Sequence, residues 1–303
     1  MNPGDGSGFA AKAGPARSGY RWPGGTVPTL AELDDHLDRE PDDLRARFER
    51  ARLLVSAGRR AAAVEDLKAA VLDDGVMAAL AEDAGELGPL LEHPHVVLAM
   101  DADPELSRAL DALQARDFAA VMRAPDDGPH PGTAAYLKSV ACSELGRNDE
   151  SLRWSVRATE LLPDVPDTWF NLACAYEALD RRTEAVETYR RSTAAATDFG
   201  NGWYNLALLL RRLADLRGSL DALKAAVASD PRSSLFVYKL AEAWALVGRI
   251  PEAEGELRRA IALEDAVRDA LRESELFRST LGEDRIRALV RKKEPVRKPS
   301  RST

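Results

Sequence analysis

The chain holds few groups able to make or break covalent bonds. Its histidines are His36, His93, His95 and His130, and its cysteines are Cys142 and Cys174. Glu92-His93-Pro94-His95 offers two imidazole nitrogens to a metal, but no third ligand stands near them in sequence. The stretch therefore reads as an exposed junction beside a capping helix rather than a metal site. The two cysteines make neither a CxxC pair nor a disulfide framework and read as small buried or half-buried side chains. No GxxxxGK[ST], HExxH or GxSxG motif occurs. Gly6 to Ala11 fits GxGxxA, yet no strand precedes it, as a dinucleotide loop would require. Carboxylates are plentiful but scattered along helix faces, where solvated surface is the simpler role. Catalysis, cofactor and metal are accordingly not expected.

What remains is the chemistry of recognition, carried by aromatic rings, side-chain amides and charges, and it needs helices to position it. Sliding the sequence by 34 residues lays Trp169 on Trp203, Leu172 on Leu206 and Leu240, and Ala173 on Ala207 and Ala241. Ala185 falls on Ser219 and Ala253, and Tyr189 on Leu223 and Leu257, without a gap. Three windows thus begin at Pro166, Gly200 and Ser234. Trp169, Leu172, Ala173 and Tyr176 stand at i, i+3, i+4 and i+7, one stripe of a helix, and Ala185, Tyr189 and Ser192 make a facing stripe on the next. Small residues at Ala173, Ala185, Ala207 and Ala226 let paired backbones approach, and Trp169, Tyr176, Trp203 and Trp244 fill the space between hairpins. One hairpin cannot bury both faces, so several must stack.

Trp169-x-x-Leu172-Ala173-x-x-Tyr176 followed by Ala185 and Tyr189, repeated as Trp203-x-x-Leu206-Ala207-x-x-Leu210 followed by Leu223, Ala226 and Pro231, resembles the tetratricopeptide repeat. The departures are Ser192 in place of alanine, Thr197 in place of proline, and Val237 in place of the leading tryptophan. The resemblance implies an all-α, right-handed solenoid of helical hairpins, about 10 to 14 helices, with capping helices after two tandem arrays. It also implies a protein that binds other proteins and catalyses nothing.

The same template extends outward. Residues 1–28, rich in Gly, Pro, Ser and Ala, read as a disordered tail without a signal-peptide core. Thr29-Leu30-Ala31-Glu32 is a capping box ahead of Leu30, Leu33 and Leu37, and opens a short array over 29–100. Within it Ala51, Leu54, Gly58, Ala63, Leu67 and Ala70 fit the template, but Arg50 stands where leucine belongs. Leu72, Val76 and Leu80, ending in Glu82, are echoed 191 residues later by Leu263, Val267 and Leu271, ending in Glu273, and each run reads as a cap. Short apolar helices are expected to follow these runs, around Val96 to Met100 and Ile286 to Val290. Residues 101–131 read as a degenerate hairpin, with Leu106, Leu110 and Leu113 facing Phe118, Val121 and Met122. A Pro/Gly loop from Pro125 ends it, and the chain is expected to bend there. The main array covers 132–267, although Lys138 and Ser139 hold core places in its first helix. Capping helices follow over 268–290 and a basic disordered tail over 291–303. From Arg285 onward eight Lys or Arg face one acid, Glu294.

In such a solenoid the first helix of each hairpin lines a concave groove. The fifth place of each window holds an aromatic residue: Phe48, Tyr136, Phe170, Tyr204 and Tyr238. These rings serve as a binding ladder or pack as core against neighbouring first helices. Asn171 and Asn205, one place on and 34 residues apart, can each donate and accept, as pairing with a peptide backbone requires. Tetratricopeptide domains that hold extended peptides use asparagine there, and the resemblance carries that role to these two residues. Leu208, Arg211, Arg212, Lys239 and Glu242 complete the expected groove, whose later part is locally basic. Asn205 and Lys239 match two places of the carboxylate clamp found in chaperone-binding relatives. Phe170, Cys174 and Leu235 do not match, so that activity is not expected, and an acidic or C-terminal peptide is the expected guest.

A net charge of −8 gives no general reason to bind nucleic acid, and no apolar run is long enough to cross a membrane. The expected location is the cytoplasm. A self-assembling scaffold, or an accessory subunit whose basic tail touches nucleic acid or an acidic partner, stands as the alternative. Partner identity and oligomeric state are not written in the sequence.

Overall fold

The computed structural model describes residues 28–73, 76, 87–100 and 103–291, apart from the side chains of residues 88 and 89. Except for residues 28 and 291, the expected tails over 1–28 and 291–303 lie outside that description, as does most of the first cap run, including Leu80 and Glu82. Every regular element among the described residues is a helix. The first three are α1 (Leu30–Arg39), α2 (Leu44–Ser56) and α3 (Arg60–Ala70), followed by short α4 (Gly88–Leu91) and α5 (Pro94–Ala99). Next come α6 (Pro104–Gln114) and α7 (Phe118–Val121), then α8 (Pro131–Glu144) with α9 (Asn148–Leu161) and α10 (Pro166–Ala178) with α11 (Arg182–Ala195). The repeat continues with α12 (Gly200–Arg212), α13 (Leu216–Ser229), α14 (Ser234–Leu246) and α15 (Ile250–Leu263), and ends in α16 (Val267–Glu273), α17 (Glu275–Leu281) and α18 (Glu283–Val290).

The capping box forms as the residue types dictate. Thr29 accepts from the Glu32 amide, and the Glu32 carboxylate accepts from the Thr29 amide at 2.8 Å. The hairpin turns are built alike. Gly146, Asp180, Ala214 and Gly248 all have positive φ, at 67°, 58°, 61° and 75°. They stand 34 residues apart, so the period of the sequence is also the period of the backbone. Each is followed by an amide that reaches back to a carbonyl of the finished helix, as Asp215 does to Leu210 at 2.9 Å.

The facing stripes meet as expected. Ala173, Ala207, Ala241, Ala185 and Ala253 are fully buried, and Leu172, Leu206, Leu240, Tyr189, Leu223 and Leu257 pack around them. Second helices pack on the next first helix, α9 on α10, α11 on α12 and α13 on α14. The stack closes when α17 lies on α14 and α18 on α15 and α16, placing fully buried Phe277 against the last repeat. Ser192, a departure from the repeat, is buried and donates to the Pro166 carbonyl at 2.8 Å. Trp169 and Trp203 are half-buried, and each indole N–H donates to the carbonyl six residues earlier, on Pro163 and Thr197.

Two basic residues at core places are paired with acids. Arg50 forms a two-pronged pair with Asp66 of α3. Lys138, 3% exposed, is paired with Asp126 in the Pro/Gly loop, and its ammonium lies 4.6 Å from the Trp154 ring centre. The loop is thus pinned to α8.

Candidate protein-binding groove

The first helices α8, α10, α12 and α14 carry the residues expected to line the groove, and the structure divides them into three sets. The rings belong largely to the packing between repeats. Phe170 lies edge-on to Phe199 with ring centres 5.7 Å apart, Tyr204 meets Phe236 at 5.5 Å, and Tyr238 meets Phe277 at 5.6 Å. Each of these three rungs therefore touches an aromatic residue that comes later in the chain. Tyr136 is half-buried, and its hydroxyl meets the Asn171 side chain. Burial first, then the charge of Asp167, pushes its phenol well above the usual range.

The charges form the second set. Glu242, 8% exposed, accepts from Arg211 at 3.0 Å and from Lys239 at 3.0 and 3.1 Å through its two oxygens. Arg212 is ion-paired with Glu177. Three cations therefore face two carboxylates, and the basic tract read from the sequence is mostly neutralised by its neighbours. Glu177 also accepts from Tyr189, whose hydroxyl lies 3.3 Å from the Cys174 sulfur. Burial raises the Cys174 thiol, which counts against an activated nucleophile.

The amides and exposed aliphatics form the third set. Asn171 donates to the Ser139 hydroxyl of the preceding first helix at 3.5 Å, so it is engaged within the stack. Asn205 donates to the Asn201 carbonyl of its own helix at 3.0 Å, and its side-chain oxygen has no hydrogen-bond partner among the described residues. Asn201 is exposed, Leu208 is half-buried, and Leu235 is 47% exposed.

The histidine junction departs from expectation. His93 is not exposed but 2% accessible, because Asp167, 74 residues later, accepts from its Nε2 at 3.2 Å. His95 Nε2 lies 3.4 Å from the other oxygen of the same carboxylate. Sequence spacing could not show this, since the acid comes from α10. Asp198 was also missed. It accepts from the amides of Ala61 and Ala62 at the start of α3. The α3 N-cap, Arg59, offers no side-chain acceptor, but α9, α11 and α15 also begin beside arginine, so this signal does not single out α3. One group among the described residues, His36, Glu40 and Asp43, brings three potential ligand atoms within 4.8 Å, and His36 already bonds Asp43 there at 2.9 Å.

Stacked helical hairpins of this kind make a protein-interaction scaffold. No helix among the described residues is long and apolar enough to cross a membrane. Residues 166–199 and residues 204–271 match family models described as tetratricopeptide repeat. Those residues are tetratricopeptide repeats. No curated protein matches it. Similar solved structures include a crystal structure of MamA, 15% identical over 52% of this chain and 94% of that one, with a TM-score of 0.47. Another is MamA 41-end from Desulfovibrio magneticus RS-1, 15% identical over 52% and 90%, with a TM-score of 0.46. A third is MamA MSR-1, 18% identical over 54% and 94%, with a TM-score of 0.45.

Proposed function

We propose that the protein binds an extended segment of a partner along α12 and α14. The carrying observation is the open amide of Asn205 beside exposed Asn201, with Leu208 and Leu235 offering apolar surface on the same pair of helices. Asn205 can accept from a partner's backbone N–H, and Leu235 can bury a side chain. Arg211 and Lys239, sharing Glu242, favour a carboxylate on that partner, which would compete for the same cations. The arrangement of two arrays, 29–100 and 132–267, joined through 101–131, belongs to this proposal. It is supported by separate apolar clusters centred on α2 and α3 and on α12 to α15.

The test is selection of random peptides displayed on phage against the full chain, followed by affinity measurement on an enriched peptide. Replacing Asn205→Ala together with Leu235→Asp removes a hydrogen bond of about 1 kcal/mol and an apolar contact of about 1.5 kcal/mol or more. Binding is expected to weaken at least about tenfold, since about 1.4 kcal/mol is a factor of ten. Unchanged affinity with unchanged helicity rejects this face.

A further inference from the structure

Two polar contacts join segments distant in the chain. Asp198, in the loop before α12, accepts from Ala61 N–H at 3.1 Å and Ala62 N–H at 2.9 Å. First-turn amides have no acceptor within their own helix, so a carboxylate from far down the sequence caps α3. Asp167, in the first turn of α10, takes His93 and His95 at the start of α5. His93 Nδ1 accepts from the His95 amide at 3.3 Å, which leaves Nε2 to carry the proton given to Asp167. Both acids sit where helix N-termini converge, and their negative charge suits the positive ends of those helices.

Between the two contacts lies a cleft of about 520 Å³, with Ala61, Ala62 and Val64 on one side and Phe199, Gly200 and Phe236 on the other. Phe48, Leu54, Leu67 and Val96 form one apolar cluster that holds α2, α3 and α5 together. Residues from Ala173 to Leu289 form another, and no buried apolar residue belongs to both. Val97 of α5 belongs to a third cluster with Leu106, Ala134 and Leu137, which seats α5 on α6 and α8. Only the side of α3 that faces the cleft is held by polar bonds alone, and such a side separates more readily than a shared core. Its position also matters. His95 lies edge-on to Tyr136 with ring centres 5.9 Å apart, and its partner Asp167 stands on the same first-helix wall as Asn171.

We infer that α2 and α3 form a cover over the Asp167 and Asn201 side of the groove, hinged at α5, whose His93 and His95 hold Asp167, and latched by Asp198 on Ala61 and Ala62. Releasing the latch tilts the hairpin about α5, while the packing of α2 on α3 stays intact. The consequence for binding rests on the groove reading above: an open cover lengthens the wall available to a partner. The cover itself does not depend on that reading.

The experiment compares wild type with Asp198→Ala in the full chain. Amide exchange by NMR reads the latch, because Asp198 alone holds the Ala61 and Ala62 protons. In Asp198→Ala these two are expected to exchange about tenfold faster or more, while Ala63 to Leu67 keep their protection. Spin labels at Arg52→Cys in α2 and Arg217→Cys in α13, in a chain carrying Cys142→Ala and Cys174→Ala, read the cover. One narrow distance is expected in wild type and a longer, broader distribution in Asp198→Ala. Asp198→Asn, which keeps the size and one acceptor oxygen, is expected to fall between them and serves if the alanine variant folds poorly. Unprotected Ala61 and Ala62 in wild type overturn the latch. Faster exchange with an unchanged distance reduces Asp198 to a local helix cap and overturns the cover. The peptide selected on the groove is then measured, and at least threefold tighter binding to Asp198→Ala is expected. Equal binding with a longer distance leaves the cover standing and rejects only its coupling to the groove.

Discussion

Arg50 and Asp66 face each other across the α2–α3 hairpin, with Nε to Oδ2 and Nη2 to Oδ1 both at 2.6 Å. The arginine occupies a place where the repeat puts leucine, and Asp66 is 1% exposed. Arg47 also reaches Asp66, and Arg50 extends to Asp34. A buried pair of this kind is costly to break but not costly to replace. Asp66→Ala, which leaves Arg50 with Asp34 alone, is expected to destabilise by less than the loss of about 3–5 kcal/mol for an uncompensated buried charge, whereas Arg50→Leu with Asp66→Leu is expected to be neutral or stabilising by about 1–4 kcal/mol. Urea unfolding of the full chain, following the transition that contains α2 and α3, checks both.

The turn at Ala214 carries a left-handed residue with a side chain, at φ 61°, where Gly146 and Gly248 occupy the equivalent turns. A β-carbon costs about 1–2 kcal/mol in that conformation, and glycine returns about 0.4–1 kcal/mol of that through the freedom of the unfolded chain. Ala214→Gly is expected to stabilise by about 0.5–1 kcal/mol, and Gly248→Ala to destabilise by a similar amount. A matched pair of thermal melts measures the two signs.

Burial acts to raise the Asp167 carboxyl, but hydrogen bonds from His93 and His95 outweigh it and hold the group well below the usual carboxylate range. A carboxyl whose folded pKa is depressed stabilises fully above its unfolded value and loses that contribution as pH falls toward the folded one. The stability gap between wild type and Asp167→Asn is therefore expected to be at its full carboxylate contribution above the ordinary aspartate value of about 3.9 and to shrink below it. Unfolding titrations of the two proteins between neutral and strongly acid pH test the sign, and a gap that widens on acidification contradicts it.

Glu242 restrains two cations, Arg211 and Lys239. Glu242→Gln keeps the shape and removes the charge, so an acidic peptide is expected to bind several-fold tighter, with a steeper loss of affinity as salt is raised. Fluorescence anisotropy at low and high salt reads both effects. An unchanged salt dependence means that these cations do not meet the guest.

Gly200 leaves no room for a side chain, since a β-carbon there would lie 2.5 Å from Ser229 Oγ and 2.8 Å from the Phe236 ring. Phe236 in turn carries the Tyr204 ring. Gly200→Ala is expected to cost about 1–3 kcal/mol as overpacking, despite the better helix propensity of alanine. Near-ultraviolet dichroism and a thermal melt report the ring shift and the loss together.

Local chemistry by itself determined the helices, their pairing and their period. The spacing of Leu172, Ala173, Ala185 and Tyr189 fixes which faces meet. Thr29 and Glu32 fix where the first helix begins, and Gly146 and Gly248 mark two of the turns. Such features are legible because each depends on residues within one or two helical turns, or one period, of each other. The groove was legible only as a set of positions. Whether Tyr204 stacks on Phe236, whether Arg211 and Lys239 share Glu242, and whether Asn171 is engaged by Ser139 depend on how one hairpin tilts on the next. The contacts of Asp167 with His93 and of Asp198 with Ala61 lay further out of reach. They depend on the summed rotation of several stacked hairpins, which returns α3 and α5 to the first helices of the main repeats, and no single window of sequence encodes that sum.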